Sequence, residues 1–242
     1  MKHAIGKTDV GKKRERNEDF IIVKNDIHGP LKNLFVLADG MGGHNAGDVA
    51  SESATAYFCE YLESKDINFV YIEDLLADAL RYANKKLHEK ANETEECFGM
   101  GTTFTAASFD DKNLYYAHVG DSRIYCTLTD GFMRQITKDH SLVNEMLSEG
   151  SITEEEAKNH PRRNVLTRAV GTDVAVSVDK GYFVLEDVEN VLLCSDGLTD
   201  MLDDDMIFDI IKSENDLEKC TDKLVNAANE AGGVDNISVI LI

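Results

Sequence analysis

Proline is nearly missing from this chain, two residues in 242, and tryptophan is absent altogether. With so little proline there is no Pro-rich spacer to divide the sequence, and neither a low-complexity tract nor an internal repeat interrupts it. Long apolar runs are missing too. None approaches the roughly 18 residues that a membrane span needs. The N-terminus, Met1-Lys-His-Ala-Ile-Gly-Lys7, goes straight into charged sequence without the apolar centre of a signal peptide. The five cysteines (Cys59, Cys97, Cys126, Cys194, Cys220) are odd in number, scattered, and form no C-x-x-C pair. That pattern excludes a disulfide framework and a Cys-based zinc site, and it leads us to expect reduced thiols in a cytoplasm. Positive charge is in deficit, 25 Lys and Arg against 45 Asp and Glu, for a formal net charge of −20. Such a balance argues against general nucleic-acid or anionic-membrane binding. What is present, 43% hydrophobic residues over 242 positions, suffices for the core of one domain spanning residues 1–242.

The sequence is organised around Asn33-Leu-Phe-Val-Leu-Ala-Asp39-Gly40-Met41-Gly42-Gly43-His44. Its apolar part predicts a buried strand over Leu34–Ala38, ending at a carboxylate followed by three glycines in four positions. Glycine there permits a sharp turn and close approach of a ligand to the main chain. Ala46 onwards predicts a helix with acidic residues near its start. Upstream, Gly6-Lys-Thr-Asp-Val-Gly11-Lys12-Lys13 nearly spells a phosphate-binding loop. Lys13 replaces the required Ser or Thr, however, and a β-branched strand at Phe20–Val23 follows instead of a helix.

Downstream, Tyr71–Glu93 predicts a helix with Leu75, Leu76, Ala79, Leu80, Ala83 and Leu87 on one face. From Gly99 the period becomes that of strands. Thr102–Phe109, Leu114–Val119, Ser122–Leu128 and Phe132–Ile136 read as an antiparallel meander, with Gly120-Asp121-Ser122-Arg123 as one of its turns. Asp139 or Ser141 can cap a short helix to Glu149, and Thr153 with Glu156 makes a capping box for another. His160-Pro-Arg162-Arg163 is a polar loop. Strands are expected at Ala175–Val178, at Gly181–Leu185 and in the run Val191–Cys194 that ends at Ser195-Asp196-Gly197. A helix from about Asp216 stops at Gly232-Gly233, and Asp235-Asn236 precedes a last buried strand.

Asp19, Asp39, Asp121, Asp196 and Asp235 therefore all flank strands. A single such aspartate is usually a turn residue. Five in one domain can converge at one end of the sheets, and clustered buried carboxylates require protonation or cations. Oxygen ligands without paired His or Cys select Mg²⁺ or Mn²⁺ over Zn²⁺. Shared carboxylates suggest two ions about 3.5–4 Å apart, an arrangement suited to in-line attack of water on phosphorus. Arg14, whose guanidinium fork can grip a phosphate, fits the same chemistry.

Taken in order, Arg14-x-x-Asn17-Glu18-Asp19, Asp39-Gly40-Met41-Gly42-Gly43, Gly101-Thr102-Thr103, Val119-Gly120-Asp121-Ser122-Arg123, Cys194-Ser195-Asp196-Gly197 and Asp235-Asn236 follow one family pattern. The chain resembles the metal-dependent serine/threonine protein phosphatases of type 2C in their compact bacterial form, over essentially its whole length. The resemblance implies an α+β fold, a four-layer αββα sandwich of two mainly antiparallel sheets with helices on both outer faces. A variable flap is expected at about residues 140–170. It also implies hydrolysis of phosphoserine and phosphothreonine in proteins by a metal-activated water at a binuclear Mn²⁺/Mg²⁺ centre.

By the same resemblance Asp39 bridges the two ions, the Gly40 carbonyl binds the second, and Asp196 and Asp235 hold the first. Glu18 and Asp19 match the acidic pair that acts directly or through water, and Arg14 matches the phosphate-binding arginine. Asp121 with Asp196 matches a weak third ion site. Asn236 is read as support for Asp235. Met41 stands where eukaryotic members often carry a histidine, so the leaving-group proton must come from another source. Implied partners are phosphorylated proteins, a Ser/Thr kinase and its substrates among them, acted on by a monomer. The alternative is a catalytically inactive phosphatase-fold module used for binding or regulation.

Overall fold

The computed structural model describes residues 3–42, 46–64, 71–93 and 95–242, so Gly43 and His44 of the glycine-rich stretch lie outside the described residues. In chain order its elements are β1 (Ile5–Asp9), β2 (Asp19–Lys24), β3 (Leu34–Met41), α1 (Gly47–Glu63), α2 (Ile72–Ala91), β4 (Gly101–Thr102) and β5 (Phe104–Phe109). There follow β6 (Asn113–Val119), β7 (Arg123–Leu128), β8 (Met133–Gln135), α3 (Leu142–Ser148), α4 (Glu154–Lys158), β9 (Asp179–Val184) and β10 (Val188–Cys194). The last four are α5 (Asp196–Thr199), α6 (Asp204–Ser213), α7 (Leu217–Ala231) and β11 (Ile237–Leu241).

Side-chain alternation builds three apolar layers. Along β3, Leu34, Val36 and Ala38 join Phe58, Leu76, Leu80 and Phe104 beneath α1 and α2. Phe35 and Leu37, one step out of phase, join Ile124, Val191, Leu193 and Ile240 between the sheets. On the far side Leu192, Ile237, Val239 and Leu241 meet Ile207, Leu224 and Val225 of α6 and α7. A strand buried on both faces reads as a continuous apolar run, which is why β3 and β11 carry almost no polar residue. One sheet has the order β1-β11-β10-β7-β8; the other has β2-β3-β5-β6-β9, with β4 also pairing β3. Every pair is antiparallel. The result is the expected four layers, helix, sheet, sheet, helix.

Several local expectations are corrected. The meander is broken at Gly120-Asp121-Ser122: β6 pairs with β5 and β9 in one sheet, β7 with β10 and β8 in the other. The turn is thus a passage between sheets, because both neighbours of each strand are already taken. β3 does not end at Asp39; it continues to Met41 by changing partner, Gly40 opposite Thr102 and Met41 opposite Gly101. Residues 175–178 are not a strand, since only Asp179–Val184 finds a partner edge on β6. Residues Ile5–Asp9, in the segment that nearly spells a phosphate loop, are a strand against β11. Ser141 rather than Asp139 caps α3, and the Thr153–Glu156 capping box is present. The short α5 and α6 were not foreseen.

The helix layer predicts its own test. Phe58 is fully buried with its ring 4.9 Å from that of Phe104, centroid to centroid. Phe58→Ala is expected to cost about 3–5 kcal/mol in urea unfolding while leaving the strand ends, and so cation binding, unchanged.

Candidate metal centre

Asp19 and Asp39 are cross-strand partners at the last rung of the β2–β3 ladder. Like charges directly opposite one another destabilise a sheet, yet this fold places them there. From the second sheet come Asp196, the first residue of α5 immediately after β10, and Asp235, just before β11. Ser195 stitches the two sheets at this end. Its hydroxyl donates to Asp19 Oδ2 (2.9 Å) and accepts from the Ser238 N–H (2.9 Å), while its own N–H donates to the Ser238 carbonyl (3.0 Å). Gly197 permits this packing, because a Cβ there would land on the Asn236 carbonyl.

Asp121 reaches the same region from the passage between sheets. Gly120 has φ +113°, a backbone conformation that favours glycine. Thr103 connects the passage to β3: its N–H donates to the Asp39 carbonyl (2.8 Å), its Oγ1 accepts from the Asp39 N–H (3.0 Å), and Oγ1 lies 2.8 Å from Ser122 Oγ. Main-chain and hydroxyl bonds therefore fix the spacing between the Asp39 and Asp121 backbones.

The electrostatics follow from that crowding. Burial, then Asp19, Asp196, Asp121 and Asp235, push the Asp39 carboxyl well above the usual range. Burial, then Asp121, Asp235, Asp200 and Asp19, do the same to Asp196. Burial and Asp139 raise Asp121 to about 7. Asp19 is raised to about 6 by burial and by Asp235 and Glu18, against the lowering effect of hydrogen bonds from Ser238 and Ser195. Two buried oxygens, Asp19 Oδ1 and Asp196 Oδ1, have no hydrogen-bond partner. Unpartnered buried carboxylate oxygens among raised carboxyls, with oxygen as the only donor type, fit a hard divalent cation. Among the described residues no three carboxylate, histidine or cysteine side chains stand close enough together to hold a metal ion as they are placed.

Arg14 lies against the same group: Nη2 is 2.7 Å from Asp235 Oδ2 and Nη1 is 3.9 Å from Glu18 Oε2. Its side chain is 48% exposed. Glu18 is raised chiefly by burial, while Arg14 and the backbone N–H of Gly47 at the start of α1 lower it. The Gly40 carbonyl faces Gly47, where any side chain would crowd it. Asn236 supports the Asp235 carboxylate through its backbone N–H, which donates to Asp235 Oδ1 (2.8 Å), while its side chain serves elsewhere. Its amide accepts from the Glu18 N–H (2.8 Å) and donates to the Val10 (2.9 Å) and Arg16 (2.8 Å) carbonyls, holding the loop that carries Arg14. Sequence reasoning overlooked Asp200, one helical turn after Asp196, which faces the cluster and lies 3.9 Å from Arg163. The i,i+4 spacing in Asp196-Gly-Leu-Thr-Asp200 was the available signal.

Comparison with known proteins agrees with this architecture. The sequence model of the protein phosphatase 2C family matches residues 11–241. A putative protein phosphatase 2C-type of Streptococcus pyogenes is 40% identical over 237 residues, 98% of this chain and 95% of the relative. The serine/threonine phosphatase stp of Listeria welshimeri is 40% identical over 243 residues, 99% of this chain and 95% of the relative. Among solved structures, serine/threonine phosphatase Stp1 of Staphylococcus aureus superposes with TM-score 0.91 at 38% identity, covering 100% of this chain and 94% of that one.

The raised carboxyls predict an inverted pH response. Asp19 and Asp121 titrate near 6 and 7 in the folded chain, against about 3.9 when unfolded. Between these values the folded state holds protons that the unfolded state has released, so stability falls as pH rises. The EDTA-treated protein is expected to lose melting temperature from pH 5 to pH 7.5 through this cluster. Asp39→Asn should flatten that slope and raise the metal-free melting temperature at pH 7.5, and Mn²⁺ should stabilise the wild type far more than the variant. Parallel slopes for wild type and Asp39→Asn in scanning fluorimetry would remove the strain from this site.

Proposed function

The chain belongs to the protein phosphatase 2C family, and on that premise we propose that it hydrolyses phosphoserine and phosphothreonine in proteins at a binuclear Mn²⁺ or Mg²⁺ centre. The observation that carries this reading is the meeting of Asp19 and Asp39 from one sheet with Asp196 and Asp235 from the other, two of their oxygens buried without partners. Asp39, Asp196, Asp235 and the Gly40 carbonyl would hold the ions, with Glu18 and Asp19 acting directly or through water. Asp121 and Asp196 would share a weaker third ion. When bound, such ions supply positive charge and a water that loses its proton near neutral pH for in-line attack on phosphorus.

The chain's own residues supply position. Arg14 has the planar fork to take two phosphate oxygens, and its partly exposed side chain at the edge of the cluster leaves it room to do so. The loop beneath it is pinned by Asn236 and by the Lys12 N–H on the Gly233 carbonyl (2.7 Å). Met41, at the end of β3, offers no proton, so the serine or threonine alkoxide must be protonated from water or another group. The substrates implied are the phosphoprotein targets of a Ser/Thr kinase. Among the described residues no helix is long and apolar enough to cross a membrane.

Two experiments test the reading. Activity on a phosphothreonine peptide should vanish on exhaustive chelation and return with Mn²⁺ or Mg²⁺, and Asp39→Asn or Asp196→Asn should nearly abolish it. Turnover that survives chelation would falsify the metal mechanism, and an inert wild type in saturating Mn²⁺ would favour a binding module. For Arg14→Ala, loss of a charge-assisted phosphate clamp is expected to raise KM roughly tenfold or more. Mn²⁺ binding should be undiminished or tighter, because Asp235 loses a competing cation. Unchanged KM and kcat would take the clamp away from Arg14.

A further inference from the structure

Asp121 sits on a three-residue passage between the sheets, and what steadies that passage lies behind it. His140, 4% exposed, makes two bonds to Gly120. Its backbone N–H donates to the Gly120 carbonyl (2.8 Å), and the Gly120 N–H donates to the imidazole Nδ1 (3.0 Å). A neutral imidazole that accepts on Nδ1 carries its proton on Nε2. Asp179 Oδ2 is the acceptor within reach of Nε2, at 3.2 Å. Arg168 Nη1 is equally near to Nε2 but is itself a donor, and it is bonded to Asp179 Oδ1 at 2.8 Å.

A second ring, His118, lies against His140 with centroids 4.9 Å apart, held by Thr105 Oγ1 (2.9 Å) and the Lys138 carbonyl (3.3 Å). Burial keeps both imidazoles neutral, driving His118 down to about 3 and lowering His140 as well. The residue before His140 grips the other end of the passage: Asp139 takes the Arg123 guanidinium through both carboxylate oxygens. His140 and Arg168 also stand at the two ends of residues 140–168, joined by the Thr167 N–H on the His140 carbonyl (2.8 Å) and by the Ser141–Leu166 bridge.

We propose that His140 is a positioning residue for Asp121, its Nδ1 anchoring the Gly120 N–H. The proposal rests on the reading of Asp121 as a ligand of the weaker cation. It explains why a buried histidine pair stands behind the centre without reaching it. The tautomer matters: only an acceptor at Nδ1 serves Gly120, and only a donor at Nε2 serves Asp179.

Two isosteres separate these jobs. In His140→Asn the amide oxygen can take the place of Nδ1 and lose Asp179; in His140→Gln the amide nitrogen can take the place of Nε2 and lose Gly120. Two measurements read the outcome: hydrogen exchange of the Gly120 amide by NMR on the EDTA-treated protein, and Mn²⁺ binding followed by electron paramagnetic resonance, with Asp121→Asn as comparator. We expect His140→Gln and His140→Ala to speed Gly120 exchange and to weaken the loosest class of Mn²⁺ sites about tenfold or more. His140→Asn should restore both, and the Asn and Gln pair still decides the matter if the Ala variant does not fold. If Asp121→Asn weakens Mn²⁺ binding but His140→Gln matches the wild type in either measurement, the role of His140 is overturned and the ligand reading stands. If His140→Asn is as impaired as His140→Ala, the Nδ1 anchor is overturned. If Asp121→Asn leaves Mn²⁺ binding unchanged, the ligand reading falls and the proposal falls with it.

Discussion

One like-charge contact governs this molecule: Asp19 opposite Asp39 at the end of a strand pair, with Asp121, Asp196 and Asp235 pressing on Asp39. In an ordinary sheet such a rung would be selected against, since each buried charge raises the cost of the next. Here the surrounding framework holds it. Three apolar layers lock the strands in register, so the carboxylates cannot relax apart without uncoupling a sheet from its helices. The fold spends stability at one edge, and a divalent cation is the natural compensation.

That framework is finished with short polar stitches rather than with further apolar surface. Ser195 bonds Asp19 on one sheet and Ser238 on the other. Thr103 fixes the β3 backbone at Asp39 and touches Ser122 beside Asp121. Asn236 spends its whole amide on the loop that carries Arg14 and Glu18. Each is a short side chain with few rotamers, so little conformational entropy is lost in fixing it. Each also satisfies backbone groups that the strand ends would otherwise leave open. Glycine appears at Gly120 and Gly197 because the backbone there passes too close to Thr103 and to Asn236 for a side chain.

The same economy links the site to residues 140–168. Asp179 begins the edge strand β9, yet its carboxylate serves His140 and Arg168, residues 28 apart in the chain. Arg163, between these two residues in the chain, approaches Asp200 beside the cluster. Residues 140–168 are therefore tied at both ends through histidine and arginine, and Arg163 between them lies 3.9 Å from Asp200.

Much of this was legible from residues alone. Continuous apolar runs ending in Asp-Gly located β3 and β10; helical stripes located α1 and α2, and the Gly232-Gly233 stop located α7; and the ordered motifs implied both the fold class and the carboxylates. These are local signals, because strand burial and helix amphipathicity depend on near neighbours in the chain. The sequence could not say that Gly120-Asp121-Ser122 leaves one sheet for the other, since a hairpin turn and a passage between sheets share the same glycine and aspartate. Nor could it say that β3 outlives its first partner, that Asn236 serves the Arg14 loop, or that His140 stands behind Asp121. Those facts depend on pairings between residues tens to hundreds of positions apart. The register of two sheets packed face to face selects them, and no local preference of the chain encodes that register.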